Sequence, residues 1–454
     1  MSDELLQKIY SAFSPAPLEP GQQDLYVDLD PVRGGQGIVQ RLARTIRLSG
    51  GQPTCQVLTG HRGSGKSTEL WQLRHELQEP SDDGKRYFVV QVQADDDLDR
   101  NDVDFPDVLI AIIRQLAAQL IDRANISLQP TYFKDRFAQL TRLLKTEISL
   151  DTVEFAVGIA KLSATIKNSP DMRDKVRALL EPDLNNWLVA ANSVIGDAIH
   201  ALIKQEYLGL VIIVDDLDKI ITRPHPGSGG STSEYLFVNR SAQLTDLQCH
   251  VIYTMPLELA YSHHEQTIKR LYGGHVPVIP MTKIATPPPK ERTYPEGMKR
   301  FRQVIDKRLE SAGATVSDAF VSNRVRDDLI KLSGGQPTEL ISLVREALVT
   351  EGLPIGTAAL KRCREEILRS YRRQLRLDHW PILEEVRRTG QITRSKENEA
   401  AFRELIEGRA VLLYMNGDEW YGLNPAIEDL SPPVVLPPVV PQPVPAPGGS
   451  EAKP

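Results

Sequence analysis

Between Gly60 and Thr68 the chain reads Gly-His-Arg-Gly-Ser-Gly-Lys-Ser-Thr, which fits a glycine, any four residues, then Gly-Lys-Ser. The glycines let the backbone turn tightly, so that successive N–H groups of Gly60, His61, Arg62, Gly63, Ser64 and Gly65 point toward one centre. A helix opening at Lys66 to Thr68 adds its positive dipole end to the same place. That arrangement suits a triphosphate. Lys66 is expected to reach the β- and γ-phosphates, and the Ser67 hydroxyl to ligate Mg²⁺. A second chemical cluster lies far downstream, where the apolar run Leu210 to Val214 ends in Asp215-Asp216-Leu217-Asp218. Carboxylates at the end of a buried strand need a partner, because an unpaired buried charge costs several kcal/mol. Mg²⁺ supplies one: Asp215 holds the ion and Asp216 orients or deprotonates the attacking water. Asp218 serves either the same cluster or a helix cap.

These groups need elements to bring them together. Thr54 to Thr59 is a strand candidate in front of the loop, and Leu70, Leu73 and Leu77 mark a helix behind it. Further strands are expected at Tyr87 to Val92, at Leu210 to Val214, at Cys249 to Thr254 and, shorter, at Val276 to Ile279. An uninterrupted apolar run such as the second of these suits a parallel sheet buried on both faces, whose ligands bind at the C-terminal ends of the strands. Thr254 then lies on the same side as Asp215, a polar group in reach of the γ-phosphate. Between Pro106 and Ile203 the periodicity is helical, with a helical insertion at about 125 to 205 and weaker helices near 132 to 145 and 171 to 180. The triplet Asp95 to Asp97 reads as a solvated loop rather than a metal site. His263, His264 and His275 read as surface histidines, since thiol or carboxylate companions are missing.

The remainder bounds the possibilities. A chain of 454 residues with a net charge of −6 is too long for one core and argues against a nucleic-acid coat. Three widely spaced cysteines fit buried thiols in a reducing compartment. The first twenty residues lack a signal peptide's apolar centre, and no run reaches the ~20 residues of a membrane helix. A cytoplasmic protein is expected. Five parts follow from composition and periodicity: an N-terminal arm at 1–24, an α/β domain with a parallel sheet between helices at 25–285, an all-helical lid at 295–376, a small winged helix at 377–430, and a proline-rich tail at 431–454 that cannot build a core. Lys361 to Arg376 is a basic helix with a solvated face. The heptapeptide Leu-Ser-Gly-Gly-Gln-Pro-Thr occurs at 48–54 and at 332–338 among different neighbours, which reads as coincidence.

With the loop at 60 to 67, the Asp215-Asp216 strand end, Thr254, the Gly335-Gln336-Pro337 turn and a winged helix in hand, the chain resembles P-loop ATPases of the AAA+/STAND group, nearest the branch of the origin-recognition ATPases. The resemblance implies ATP and Mg²⁺ as cofactors and slow hydrolysis to ADP and phosphate. It implies an adenine-covering loop at Arg33 and Gly34, Pro337 beside the adenine, Thr254 as the sensor and, in a motor, Arg270 as a finger offered to a neighbouring subunit. Pro337 without an arginine at the turn favours STAND over the origin-type branch, and with it a molecular switch that controls assembly with a protein partner or with itself in signalling or defence. The alternative is an origin-recognition-like ATPase that binds DNA through the winged helix, against which the winged helix's acidic excess counts. Asn424 before Pro425 departs from the histidine that many STAND proteins place there, which removes the implied ADP contact.

Overall fold

A computed structural model describes residues 3–19, 21–81, 84–128, 152–225, 229–289 and 291–432. The weak helix expected near 132 to 145 and nearly all of the tail lie outside them.

Five parallel strands form one sheet: β1 (Cys55–Gly60), β2 (Arg86–Gln93), β3 (Tyr207–Asp215), β4 (His250–Met255) and β5 (Val278–Ile279), in the order β2-β3-β4-β1-β5. Along β3 successive side chains alternate faces. Val211 and Ile213 meet the first helices, and Leu210, Ile212 and Val214 meet the opposite layer. The first layer is α2 (Ile38–Leu48) and α3 (Lys66–Gln78), which bury Leu42, Ile46, Leu70, Leu73 and Leu77 against it. The second contains α4 (Phe105–Ala124), α5 (Thr152–Asn168), α6 (Pro170–Leu180) and α7 (Leu184–Ile203). Apolar cover on both faces is what permits uninterrupted apolar strands. Because β4 lies between β1 and β3, the loop after β1 and the carboxylates after β3 flank the end of β4, where Thr254 sits.

The lid comprises α8 (Pro295–Ser311), α9 (Asn323–Leu332), α10 (Pro337–Glu351) and α11 (Thr357–Gln374). The N-terminal helix α1 (Asp3–Ala12) is stapled to it, since Ile9 and Phe13 are buried with Phe301, Ile305, Leu340 and Val344. The winged helix follows as α12 (Trp380–Thr389), α13 (Glu399–Glu407) and the hairpin β6 (Val411–Asn416) to β7 (Asp418–Leu423), whose Gly417 adopts φ 86° at the turn. Its core takes in Leu257 and Val278 of the sheet domain, so the module is docked rather than tethered.

One expectation is corrected here. Asp95 to Asp97 is not a solvated loop. It forms a helical turn at the end of β2, where Asp97 is buried and paired with Arg114, and Asp95 pairs with Arg100 and Lys219. The insertion adds Lys167, whose Nζ donates to the Asp95 and Asp96 carbonyls at 2.6 and 2.9 Å. Basic side chains from distant segments account for the burial, and nothing in the local sequence announced them.

Candidate active site

The loop that opens α3 is gripped from four sides. Gly63 and Gly65 adopt φ 81° and 98°, conformations that favour glycine, and a Cβ at Gly60 would lie 2.4 Å from the Ile279 carbonyl oxygen. Lys66 is buried and folded back, its Nζ donating to the Gly60 and His61 carbonyls at 2.8 and 2.9 Å and pairing with Asp218 at 2.8 Å. Asp218 therefore holds the loop lysine and does not cap a helix.

Arg33 approaches from the segment before α2. Its Nη2 donates to the Ser64 carbonyl, its Nε to Thr282 Oγ1 at 3.2 Å, and its Nη1 pairs with Glu69 at 3.2 Å. Burial lowers the Arg33 pKa and raises that of Glu69, which also accepts from the Tyr26 hydroxyl at 3.2 Å. From the lid, the Thr338 amide meets the Gly63 carbonyl at 3.4 Å, and Pro337 lines the cavity beside it. From the winged helix comes the least expected partner. His61 Nε2 accepts from the Leu413 amide of β6 at 2.9 Å, and its ring also hydrogen-bonds to the Ile406 backbone. Burial, then the nearby Lys66 and Arg409 charges, push the His61 pKa down to about 3, which keeps the imidazole neutral and its acceptor nitrogen free.

At the end of β3, Asp215, Asp216 and Asp218 each present a carboxylate oxygen within 4.8 Å of the others. Asp215 Oδ1 accepts from the Asp216 amide at 2.7 Å, while Oδ2 is buried and has no close hydrogen-bond partner among the described residues. Burial and the Asp218 charge raise the Asp215 pKa, with Ser67 and Lys66 acting against them. An orphaned carboxylate oxygen beside the Ser67 hydroxyl fits a hard divalent cation. Asp216 stands in the left-handed region at φ 68°, a strained position for a non-glycine residue that is found mostly at functional sites. Its Oδ1 lies 2.6 Å from Lys219 Nζ, and burial followed by the Asp215 charge pushes its pKa up to about 7.

One cavity joins Arg33, Arg62, Gly63, Gly65, Lys66, Ser67, Thr68, Asp216 and Pro337. Other expected residues lie elsewhere. Gly60, Ser64 and Asp215 are buried and do not line it, and the His61 side chain turns to the winged helix. The Thr254 hydroxyl accepts from the Leu217 amide at 3.0 Å and so braces the turn that carries Asp216. Arg270 is exposed on the short helix Glu265–Leu271 and does not line the cavity. Asn424 is buried inside the winged helix, bonded to Tyr371 Oη at 3.0 Å and to the Ala426 amide at 3.0 Å, well occupied without a nucleotide.

The geometry is that of a glycine-rich phosphate-type loop in an α/β P-loop fold. No family model matches the chain, and no curated protein does. Solved structures do resemble it. They include the Walker-type ATPase PABY2304 of Pyrococcus abyssi, at 14% identity over 92% of this chain and 98% of that one with a TM-score of 0.44. The ORC2 protein of Aeropyrum pernix, in ADPNP and ADP complexes, is 11% identical over 86% and 89% with a TM-score of 0.42. The ORC1 protein of the same organism, in complex with DNA, is 14% identical over 85% and 88% with a TM-score of 0.38. These are Walker-type and origin-recognition ATPases. Their descriptions name neither the STAND branch nor signalling or defence, and at such scores the fold rests on this chain's own sheet order and loop.

Sequence reasoning missed several residues of the cavity. Pro15 to Leu18 of the N-terminal arm close one side, and Val304, Arg308 and Ile341 of the lid close another. The lid residues signalled themselves only through helical periodicity, and the arm at Pro15 to Leu18 carried no signal of a site. No helix among the described residues is long and apolar enough to cross a membrane.

Proposed function

We propose that the protein is an ATP-binding ATPase in which nucleotide occupancy is coupled to the docking of the winged helix. One observation carries this reading: the phosphate loop hydrogen-bonds directly to β6 through His61, while the Lys66 ammonium occupies the carbonyls of that same loop. For Lys66 to serve a triphosphate it must leave Gly60 O, His61 O and Asp218. The peptide that carries the imidazole is then freed to move. Binding energy for the γ-phosphate becomes a bias on the winged helix, as a ligand shifts an equilibrium only through its differential contacts.

In hydrolysis, Asp216 accepts the proton of the attacking water at the mouth of the cavity, and Thr254 keeps its turn in place. Ser67 and Asp215 would hold a Mg²⁺ ion, which neutralises charge on the phosphate oxygens when bound. Calorimetry with ATP and a phosphate-release assay test the assignment. Lys66→Ala should lose ATP binding while staying folded. Asp216→Asn should bind ATP and hydrolyse it at least about a hundredfold more slowly. Unchanged affinity in the first variant or unchanged turnover in the second contradicts the site.

A second reading is a DNA-binding ATPase of the origin-recognition type, the kind of protein the comparisons return. It is favoured by Arg362, Arg372, Arg373 and Arg388, exposed and without an ion-pair partner among the described residues. Against it, Arg403 of α13 pairs with Glu234, and Asn416 at the wing accepts from Lys283 at 2.6 Å, so both groove-reading elements are held on the ATPase domain. Fluorescence anisotropy with duplex DNA, with and without ATP, separates the two. Binding that falls steeply with salt and rises with ATP supports the DNA reading.

A further inference from the structure

Helix α8 brings a cation into the cavity that no carboxylate among the described residues neutralises. Arg308 is 4% exposed and lines the cavity together with Val304, Ile341 and Pro337. Its guanidinium makes one hydrogen bond, from Nη1 to the Val304 carbonyl a turn earlier at 3.1 Å. Its Nε is buried with no acceptor among the described residues. Other buried arginines of the chain are treated differently: Arg33 has Glu69, Arg173 has Asp99 and Asp102, and Arg240 has Asp104 and Glu181. Arg308 has no carboxylate at all among the described residues. Burial lowers its pKa to about 10.

A buried donor without an acceptor costs stability, more so when charged. Such a cost persists where a ligand supplies the acceptor, and the apolar neighbours of Arg308 are of the kind that enclose a base and its ribose. We propose that Arg308 is a nucleotide-recognition residue whose guanidinium donates to acceptor atoms of the base or ribose, reading the nucleotide from the lid while Lys66 reads the phosphates. The contact spans two domains: α8 closes on the end of the ligand that the phosphate loop does not touch, so occupancy draws the lid toward the core. This inference rests on the reading of the cavity as a nucleotide site.

The test compares ATP, ADP and adenosine as ligands for wild type, Arg308→Met, Arg308→Lys and Lys66→Ala, with melting temperatures of the nucleotide-free proteins. Lys66→Ala reports on the site itself: it should weaken ATP far more than adenosine. Arg308→Met should weaken all three ligands by one common factor of about ten to a hundred, the range for a hydrogen bond to a charged group. Arg308→Lys should recover part of that loss. Because methionine removes an unpaired buried charge, the nucleotide-free variant should melt at the same temperature as wild type or higher. Three results overturn the assignment without touching the Lys66 result. They are unchanged affinities in Arg308→Met, a loss confined to ATP and ADP, and a nucleotide-free variant that melts several degrees lower with unaltered ligand binding.

Discussion

At 48–54 and again at 332–338 the chain carries Leu-Ser-Gly-Gly-Gln-Pro-Thr, once at the end of α2 and once at the end of α9. The local structure repeats with the sequence. Ser49 Oγ donates to the Ile46 carbonyl at 2.8 Å and Ser333 Oγ to the Ile330 carbonyl at 2.6 Å. Gly50 and Gly51 take φ 64° and 85°, Gly334 and Gly335 φ 60° and 74°, as left-handed helix endings do. What surrounds the two turns differs entirely. A Cβ on Gly50 or Gly51 would meet nothing within 4 Å, whereas one on Gly335 would lie 1.8 Å from the Thr282 carbonyl oxygen and one on Gly334 2.7 Å from Leu412 Cδ1. The second turn also accepts from the Thr282 amide at 3.0 Å and from the Tyr414 hydroxyl at 2.7 Å, joining lid, sheet domain and winged helix. After Pro53 the chain runs into β1, and at Pro337 it opens α10. Seven residues decide a turn. They decide neither the next element nor what the turn is for.

Substitution can break the pair apart. Gly335→Ala combines a positive φ with a backbone clash and should cost more than ~4 kcal/mol or abolish folding, read by chemical denaturation. Its counterpart Gly51→Ala faces only the left-handed strain, roughly 1 kcal/mol. Equal effects at the two sites would mean that burial of the second turn is not what makes it matter.

The seam that the second turn joins contains Glu258, buried beneath α13 and hydrogen-bonded by Thr222 Oγ1 at 3.1 Å. Burial, with the Glu407 charge adding to it, pushes its pKa up from 4.5 to about 7. A carboxyl with a raised folded-state pKa contributes fully below about pH 4.5 and loses that contribution as pH rises through 7. Glu258→Gln should therefore be more stable than wild type by ~2 kcal/mol above pH 7, with the gap shrinking to nothing near pH 4. A gap that does not vary with pH contradicts the burial argument.

Smaller effects sharpen the same contrast. Tyr414→Phe leaves the Gly334 carbonyl without its donor and should cost about 1–2 kcal/mol, with no equivalent loss available at 48–54. Gln52→Ala, on the exposed turn, should stay within about 0.5 kcal/mol of wild type by thermal denaturation.

Much of the site was legible because the signals were local. The loop at 60 to 67, the strand that ends in Asp215 and Asp216, and the hairpin at Asn416-Gly417-Asp418 each state their conformation in a few adjacent residues. Less legible was everything made by pairs far apart in sequence. Asp95 is bonded to Lys219 and overlaid by Lys167, Arg33 is threaded under the phosphate loop, and α1 is packed into the lid. Arg308 is one basic position on the helix Pro295–Ser311, and nothing at 304 to 311 says that the helix turns that face inward onto a cavity. His61 is the sharpest case. Its place in the loop pattern predicts only a main-chain role, yet its side chain is the link to the winged helix.

That link is the central claim, and the Leu413 amide reports on it directly. It is held by His61 Nε2 at 2.9 Å, so its hydrogen exchange should measure the docking of β6 onto the phosphate loop. Exchange at Leu413 would be followed by NMR or mass spectrometry with and without ATP and Mg²⁺, in wild type and in Lys66→Ala. Exchange should accelerate at least about tenfold with ATP in wild type and should not change in Lys66→Ala. Exchange that is indifferent to ATP in wild type, under conditions where calorimetry shows the site filled, would contradict the coupling of nucleotide to the winged helix.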